Sequence, residues 1–127
     1  MFGEEKILGQ IEATIDDKNR LILPIFTKRE KDDNLVLIED KDFNIFRIYT
    51  FEQISKIFEK INDNLLKATT EKEIKKYKKQ TYNLSKSILK SSKVDKLGRV
   101  AVGETFSEID KVNVIGAYDH VILELKK

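Results

Sequence analysis

A chain of 127 residues with 40% apolar content has room for one hydrophobic core and not for two, and it is too apolar to be disordered throughout. It has no cysteine and a single histidine, His120, which excludes a disulfide scaffold, a thiolate metal site and a histidine cluster within one chain. The net charge of +2 conceals a segment from Lys67 to Arg99 with eleven basic residues against three acidic ones, a balance of +8 that leaves −6 on the rest; this asymmetry suits a polyanionic partner as well as it suits a solvated helix face.

The opening MFGEEKILGQ lacks the continuous apolar core of a signal peptide, and the longest aliphatic runs, such as Leu35 to Ile38, are too short to span a bilayer. The expectation is a soluble, cytoplasmic, single-domain protein without metal, cofactor or membrane partner. Ile11, Ala13 and Ile15 alternate with Gln10, Glu12 and Thr14, which predicts a half-buried strand over 7–15. Arg20 to Leu23 reads as the return strand after a tight turn, and Pro24 as the first residue of a short helical turn in IFTKREK. Beyond the polar loop at 32–34, LVLIE and FNIFRIY predict two more strands separated by DKD.

The period then changes. Phe51, Ile54, Ile57, Phe58, Ile61 and Leu65 share one face of a helix, with Thr50 as its N-cap and Gln53 near the capping-box position. A second helix is predicted from 71 to about 91 on the stripe Ile74, Tyr77, Thr81, Leu84, Ile88. The two should pack as a hairpin, their stripes serving as core or oligomer contact. From Val94 the strand pattern returns: Val94, then Arg99 to Val102, a short helical ETFSEI, then VNVIGAY and VILEL around a turn at Asp119 and His120. His120 is expected there as an exposed polar residue.

Two stretches echo one another, IDDKNRLILP from Ile15 and VDKLGRVAVG from Val94. Asp16 and Asp95 lie 79 positions apart, as do Arg20 and Arg99, while Phe26 and Phe106 fall at nearly the same offset. A repeat of about 35 residues is too small to bury an adequate core alone, so the two copies should pair about a pseudo-twofold axis into one interlocked barrel. The organisation predicted is α+β: a first repeat over 7–49, a helical connection over 50–92 and a second repeat over 93–125.

A three-residue hairpin loop commonly ends in a left-handed residue, which glycine adopts without strain and asparagine tolerates. Asn19 and Gly98 occupy that place. With DKN and KLG as loops, Asp16 faces Arg20 and Asp95 faces Arg99, and each aspartate can also accept from loop amides. Two readings stay open. Each pair is a fastener for a tight turn, or it holds an arginine still enough to present donors to phosphate or guanine, with Lys18 and Lys96 adding positive charge beside it.

At this point the residues resemble a family. MFGEEKILGQIEATIDDKNRLILP is similar to the amino-terminal signature of the MraZ transcriptional regulators, members of the AbrB-like swapped-hairpin superfamily, and VDKLGRVAV is similar to their second signature. The resemblance extends through LVLIEDKDFNIFRIYTFEQ to VNVIGAYDHVILEL. It implies two AbrB-like hairpin repeats forming one pseudo-twofold swapped-hairpin barrel, with a helical hairpin between them. It further implies a nucleoid-associated regulator, assembled into ring-like homo-oligomers, that binds short direct repeats of double-stranded DNA upstream of the division and cell-wall gene cluster, its own gene included. Arg20 becomes the leading DNA contact and Arg99 its counterpart, with Asp16 and Asp95 as orienting partners. The sequence departs from the family pattern at Asn19, where the first motif usually has glycine, at Gly103, where the second usually has proline, and in IFTKRE after Pro24.

Catalysis is not expected. The five glycines, at 3, 9, 98, 103 and 116, make neither a nucleophile elbow nor a phosphate-cradling loop, and Asp16 and Asp95 each have an arginine to keep them ionised. The other candidates are an antitoxin-like DNA-binding protein of the same superfamily, which usually carries an extended partner-binding tail where this chain ends in VILELKK, and an oligomeric scaffold without DNA affinity.

Overall fold

The structure is a computed structural model and describes residues 1–4 and 6–125. Its class is α+β. Strands β1 (Gln10–Thr14), β2 (Arg20–Ile22), β3 (Asn34–Asp40) and β4 (Ile45–Thr50) precede helices α1 (Phe51–Lys67) and α2 (Glu71–Ser87). Strands β5 (Ile88–Lys93), β6 (Arg99–Ala101), β7 (Lys111–Gly116) and β8 (Val121–Leu125) follow. A single 3-10 turn comes after β2 at Ile25–Thr27 and another after β6 at Glu104–Phe106, each beginning five residues past its arginine. The terminal lysines 126 and 127, which closed the last predicted segment, lie outside the described residues, as does Glu5 of the opening stretch.

Six strands form one sheet in the order β1-β7-β8-β4-β3-β5, and β2 pairs with β6 in a separate two-stranded ribbon. The order reads the same when the two halves are exchanged. β4 meets β8 at the centre with Phe46 opposite Leu123 and Ile48 opposite Val121, and β2 meets β6 with Arg20 opposite Ala101 and Ile22 opposite Arg99. The repeats are interlocked: β1 pairs with β7 and β3 with β5, so among the described residues the strand ladders internal to a half are those of the β3–β4 and β7–β8 hairpins.

The expected closed barrel is not formed. β2 and β6, three residues each, give their ladder hydrogen bonds to one another, and only an isolated bridge from Ile15 to Leu21 joins β1 to β2. On the other side the Ala101 amide donates to Ser92 Oγ at 3.2 Å in place of a β5–β6 ladder. The ribbon instead lies over the sheet and directs Leu21 and Val100 into the core, alongside Leu23, Val102, Leu35, Leu37, Ile48, Phe106, Val112, Val114 and Leu123. Alternation along a strand puts the neighbours of Leu21 and Val100 on the opposite face.

Thr50 caps α1 as its chemistry demands: its hydroxyl accepts from the Gln53 amide at 3.0 Å while Gln53 Oε1 accepts from the Thr50 amide at 2.8 Å. The helical hairpin packs beside β3 and β4, where Val36 and Ile54 are buried outside the main core. Several details differ from the periodicity. Ile88 continues the stripe of α2 in sequence but begins β5, because the edge of β3 offers a ladder of backbone partners from Ile38 to Asn34. Ile11 is 50% exposed although it alternates with polar residues. Pro24 caps the 3-10 turn from outside rather than opening it, and Thr27, not Phe26, takes the buried place that Phe106 has in the second repeat.

Candidate nucleic-acid interface

The two Asp-x-x-x-Arg turns are built alike, atom for atom. In the first, Asp16 Oδ1 accepts from the amides of Lys18 (3.0 Å) and Arg20 (2.8 Å), and Oδ2 accepts from Arg20 Nε (2.8 Å). In the second, Asp95 Oδ1 accepts from the amides of Leu97 (2.9 Å) and Arg99 (2.8 Å), and Oδ2 accepts from Arg99 Nε (2.6 Å). Asn19, at φ 56°, and Gly98, at φ 80°, take the left-handed position that lets a three-residue loop close.

These bonds decide the charge of the aspartates. Desolvation works against ionisation of Asp16, but the Arg20 amide, the Arg20 guanidinium and the Lys18 amide outweigh it and hold its carboxyl below the usual carboxylate range. For Asp95 the Arg99 amide is the largest influence, and with the Arg99 guanidinium and the Leu97 amide it overcomes desolvation to the same effect. Both aspartates are therefore anions in any neutral buffer, and both arginines are anchored through Nε.

The ribbon brings the turns together. The Leu23 amide donates to the Gly98 carbonyl and the Val102 amide to the Asn19 carbonyl, both at 2.9 Å, so each loop is tied to the strand of the other half. Arg20 and Arg99 lie on the face of the ribbon away from Leu21 and Val100, at the diagonal spacing of an antiparallel pair, about 7–8 Å. Ile22, 56% exposed, shares that face, and the solvent-exposed Lys18 and Lys96 flank it from the loops. Each arginine side chain is 28% exposed. Among the described residues their terminal Nη groups have no hydrogen-bond partner, and no buried side-chain nitrogen or oxygen goes unpartnered, so those groups reach solvent.

Two cations of this region were not legible as site residues in the sequence. Lys90 belongs to β5 rather than to a helix, and together with Lys18 and Asn19 it lines an open cleft of about 440 Å³ against Gly103. Arg29 crosses from the first repeat to lie over Gly98 of the second, its Nε donating to the Leu23 carbonyl at 2.5 Å. A Cβ at position 98 would collide with that guanidinium. The second turn thus needs glycine for two reasons, its φ and the arginine above it, whereas Asn19 borders the cleft and can carry a side chain.

The lysines of α2 at 72, 75, 76, 78 and 79 are exposed, and among the described residues none has an ion pair. His120 is not the exposed turn residue that its neighbours suggested. Its side chain is 12% exposed and its ring stacks on Tyr49 with centroids 4.4 Å apart. Arg47 Nη1 donates to its Nε2 at 2.9 Å, which places the ring proton on Nδ1, 2.8 Å from Asp119 Oδ1. Among the described residues no group of acidic residues and histidine could hold a metal ion, and no helix is long and apolar enough to cross a membrane.

Fold and turns together define an α+β protein of two interlocked repeats that displays a pair of fixed arginines on one ribbon. A scan of the chain against protein-family models found no match, and a search of curated proteins found none either.

Proposed function

We propose that the chain is a sequence-specific DNA-binding transcriptional regulator of the MraZ-like, swapped-hairpin kind, reading double-stranded DNA with the ribbon that carries Arg20 and Arg99. The observation that supports this best is the state of those two side chains: Nε is fixed by an ionised aspartate while the Nη groups face solvent on one surface. A turn fastener needs only the first half of that arrangement. A pair of anchored forks is suited to phosphate oxygens or to guanine O6 and N7, and a two-stranded β-ribbon fits the major groove, about 12 Å wide.

The interlocked repeats support the swapped-hairpin assignment, and the exposed lysines of α2 and of the loops supply the field that draws in a polyanion. Ring-like self-association belongs to the same reading, because tethered copies make each later contact with repeated DNA sites intramolecular. Phe51, Ile57 and Leu66, exposed on α1, are apolar surface available for it.

The test is a footprint on the DNA upstream of the protein's own gene, followed by binding to the protected duplex. Regularly spaced protection is expected, and Arg20→Ala and Arg99→Ala, checked for fold by circular dichroism, should each weaken binding by about 1–3 kcal/mol. Absence of protection would overturn this operator in favour of a divergent regulator with another target, and unchanged affinity in both folded variants would overturn the ribbon as the reading surface.

A further inference from the structure

The pseudo-twofold that makes the two turns alike in backbone does not make them alike in charge. Across the offset of 79, Asp17 corresponds to Lys96, Lys18 to Leu97 and Asn19 to Gly98. The first turn, with Asp16, Asp17, Lys18 and Arg20, is neutral in its own residues, and the cleft beside it adds Lys90 and Glu104, which cancel. The second has Asp95 against Lys96 and Arg99, and Arg29 of the other repeat lies on top of it. The residue at the corresponding offset from Arg29 is Glu108, an acid.

Arg29 is held much as Arg20 and Arg99 are. Its Nε is anchored, here by the Leu23 carbonyl, which is two positions beyond the ribbon's Leu21. Its guanidinium rests against the Gly98 backbone, where its Cζ would be the atom nearest to a methyl group added at that position. Among the described residues its Nη groups have no hydrogen-bond partner, and since no buried side-chain nitrogen goes unpartnered they reach solvent. An arginine fixed at Nε with two open amino groups, seated on the loop that also carries the exposed Lys96, is prepared for a phosphate oxygen pair.

We infer that Arg29 is a third phosphate-binding arginine of the ribbon surface, and that the second turn, which it completes, attracts nucleic-acid backbone more strongly than the first. This rests on the DNA-binding reading above. It also accounts for the glycine at 98, since any side chain there would displace the guanidinium, and for the freedom of position 19 to be asparagine.

The experiment compares wild type and Arg29→Gln by fluorescence anisotropy over a salt series, on a duplex from the region upstream of the protein's own gene and on a mixed-sequence duplex. Removing one phosphate-binding cation is expected to lower the slope of log affinity against log salt by about 0.9 and to weaken binding about tenfold on both duplexes. Lys96→Gln and Lys18→Gln, at exposed loop tips, repeat the comparison without touching a packed side chain: the weakening at Lys96 should be the larger. Unchanged slope and affinity in a folded Arg29→Gln, or a weakening at Lys18 equal to or greater than that at Lys96, overturns this inference while leaving the DNA-binding reading intact. A wild-type chain that binds neither duplex overturns both.

Discussion

Asp16 and Asp95 show how a single carboxylate organises a turn. Each accepts two loop amides and one guanidinium nitrogen, and each stays ionised below the usual carboxylate range as a result. Because the folded-state pKa is depressed, the stability they contribute is fully present above the unfolded value, about 3.9, and is lost as pH falls through the lower folded value. Asp16→Asn and Asp95→Asn should therefore lower the thermal midpoint at neutral pH, and the gap to wild type should narrow as pH drops towards about 3. A gap that persists unchanged in acid would mean that charge is not what holds these turns. The pairing of Asp16 with Arg20 was legible from spacing alone, because a three-residue loop leaves few alternatives for its flanking residues. The place of Arg29 was not, since the residue it covers lies 69 positions away in the other repeat.

At the scale of elements, chemistry local to a terminus was readable and competition between elements was not. The Thr50 and Gln53 capping box follows from a few residues of sequence. Ile88 satisfied the helical period of α2 equally well, yet it starts β5, because an unpaired β3 edge outweighs one more helical turn. That handover places Lys90 beside the first turn and leaves the remaining lysines of α2 on a solvent-facing helix. If α2 binds phosphates, replacing Lys72, Lys75, Lys76, Lys78 and Lys79 with glutamine should lower the salt slope of DNA binding by up to about 0.9 for each phosphate no longer neutralised. An unaltered slope would identify α2 as a solvated face and leave the ribbon and its loops as the proposed DNA-binding surface.

At the scale of the whole molecule, neither repeat contains all the partners of its own strands. A fragment ending at Thr50 keeps the β3–β4 hairpin but strips β1 of β7, β2 of β6 and β4 of β8. It also exposes Leu21, Leu23 and Ile48, which are at most 1% exposed in the intact chain. Such a fragment should show no cooperative thermal transition as a monomer, and mixing it with the fragment from Phe51 onwards should restore one. An independently folded monomer of the first fragment would contradict the interlocked architecture. The same interlocking ties the two arginines to one surface, since the Leu23 and Val102 amides link each loop to the opposite strand.

The sequence by itself determined the repeat, the turn chemistry of Asp16 to Arg20 and Asp95 to Arg99, the helix cap at Thr50 and the mixed class of the fold, because each is carried by short stretches of neighbouring residues, the repeat being two such stretches with the same pattern. Tertiary structure decided what depends on long-range pairing: an open six-stranded sheet with a separate ribbon in place of a closed barrel, the handover at Ile88, the stacking of His120 on Tyr49 and the seat of Arg29 on Gly98. Backbone hydrogen bonds and close packing choose between partners far apart in the chain, and no local period records that choice.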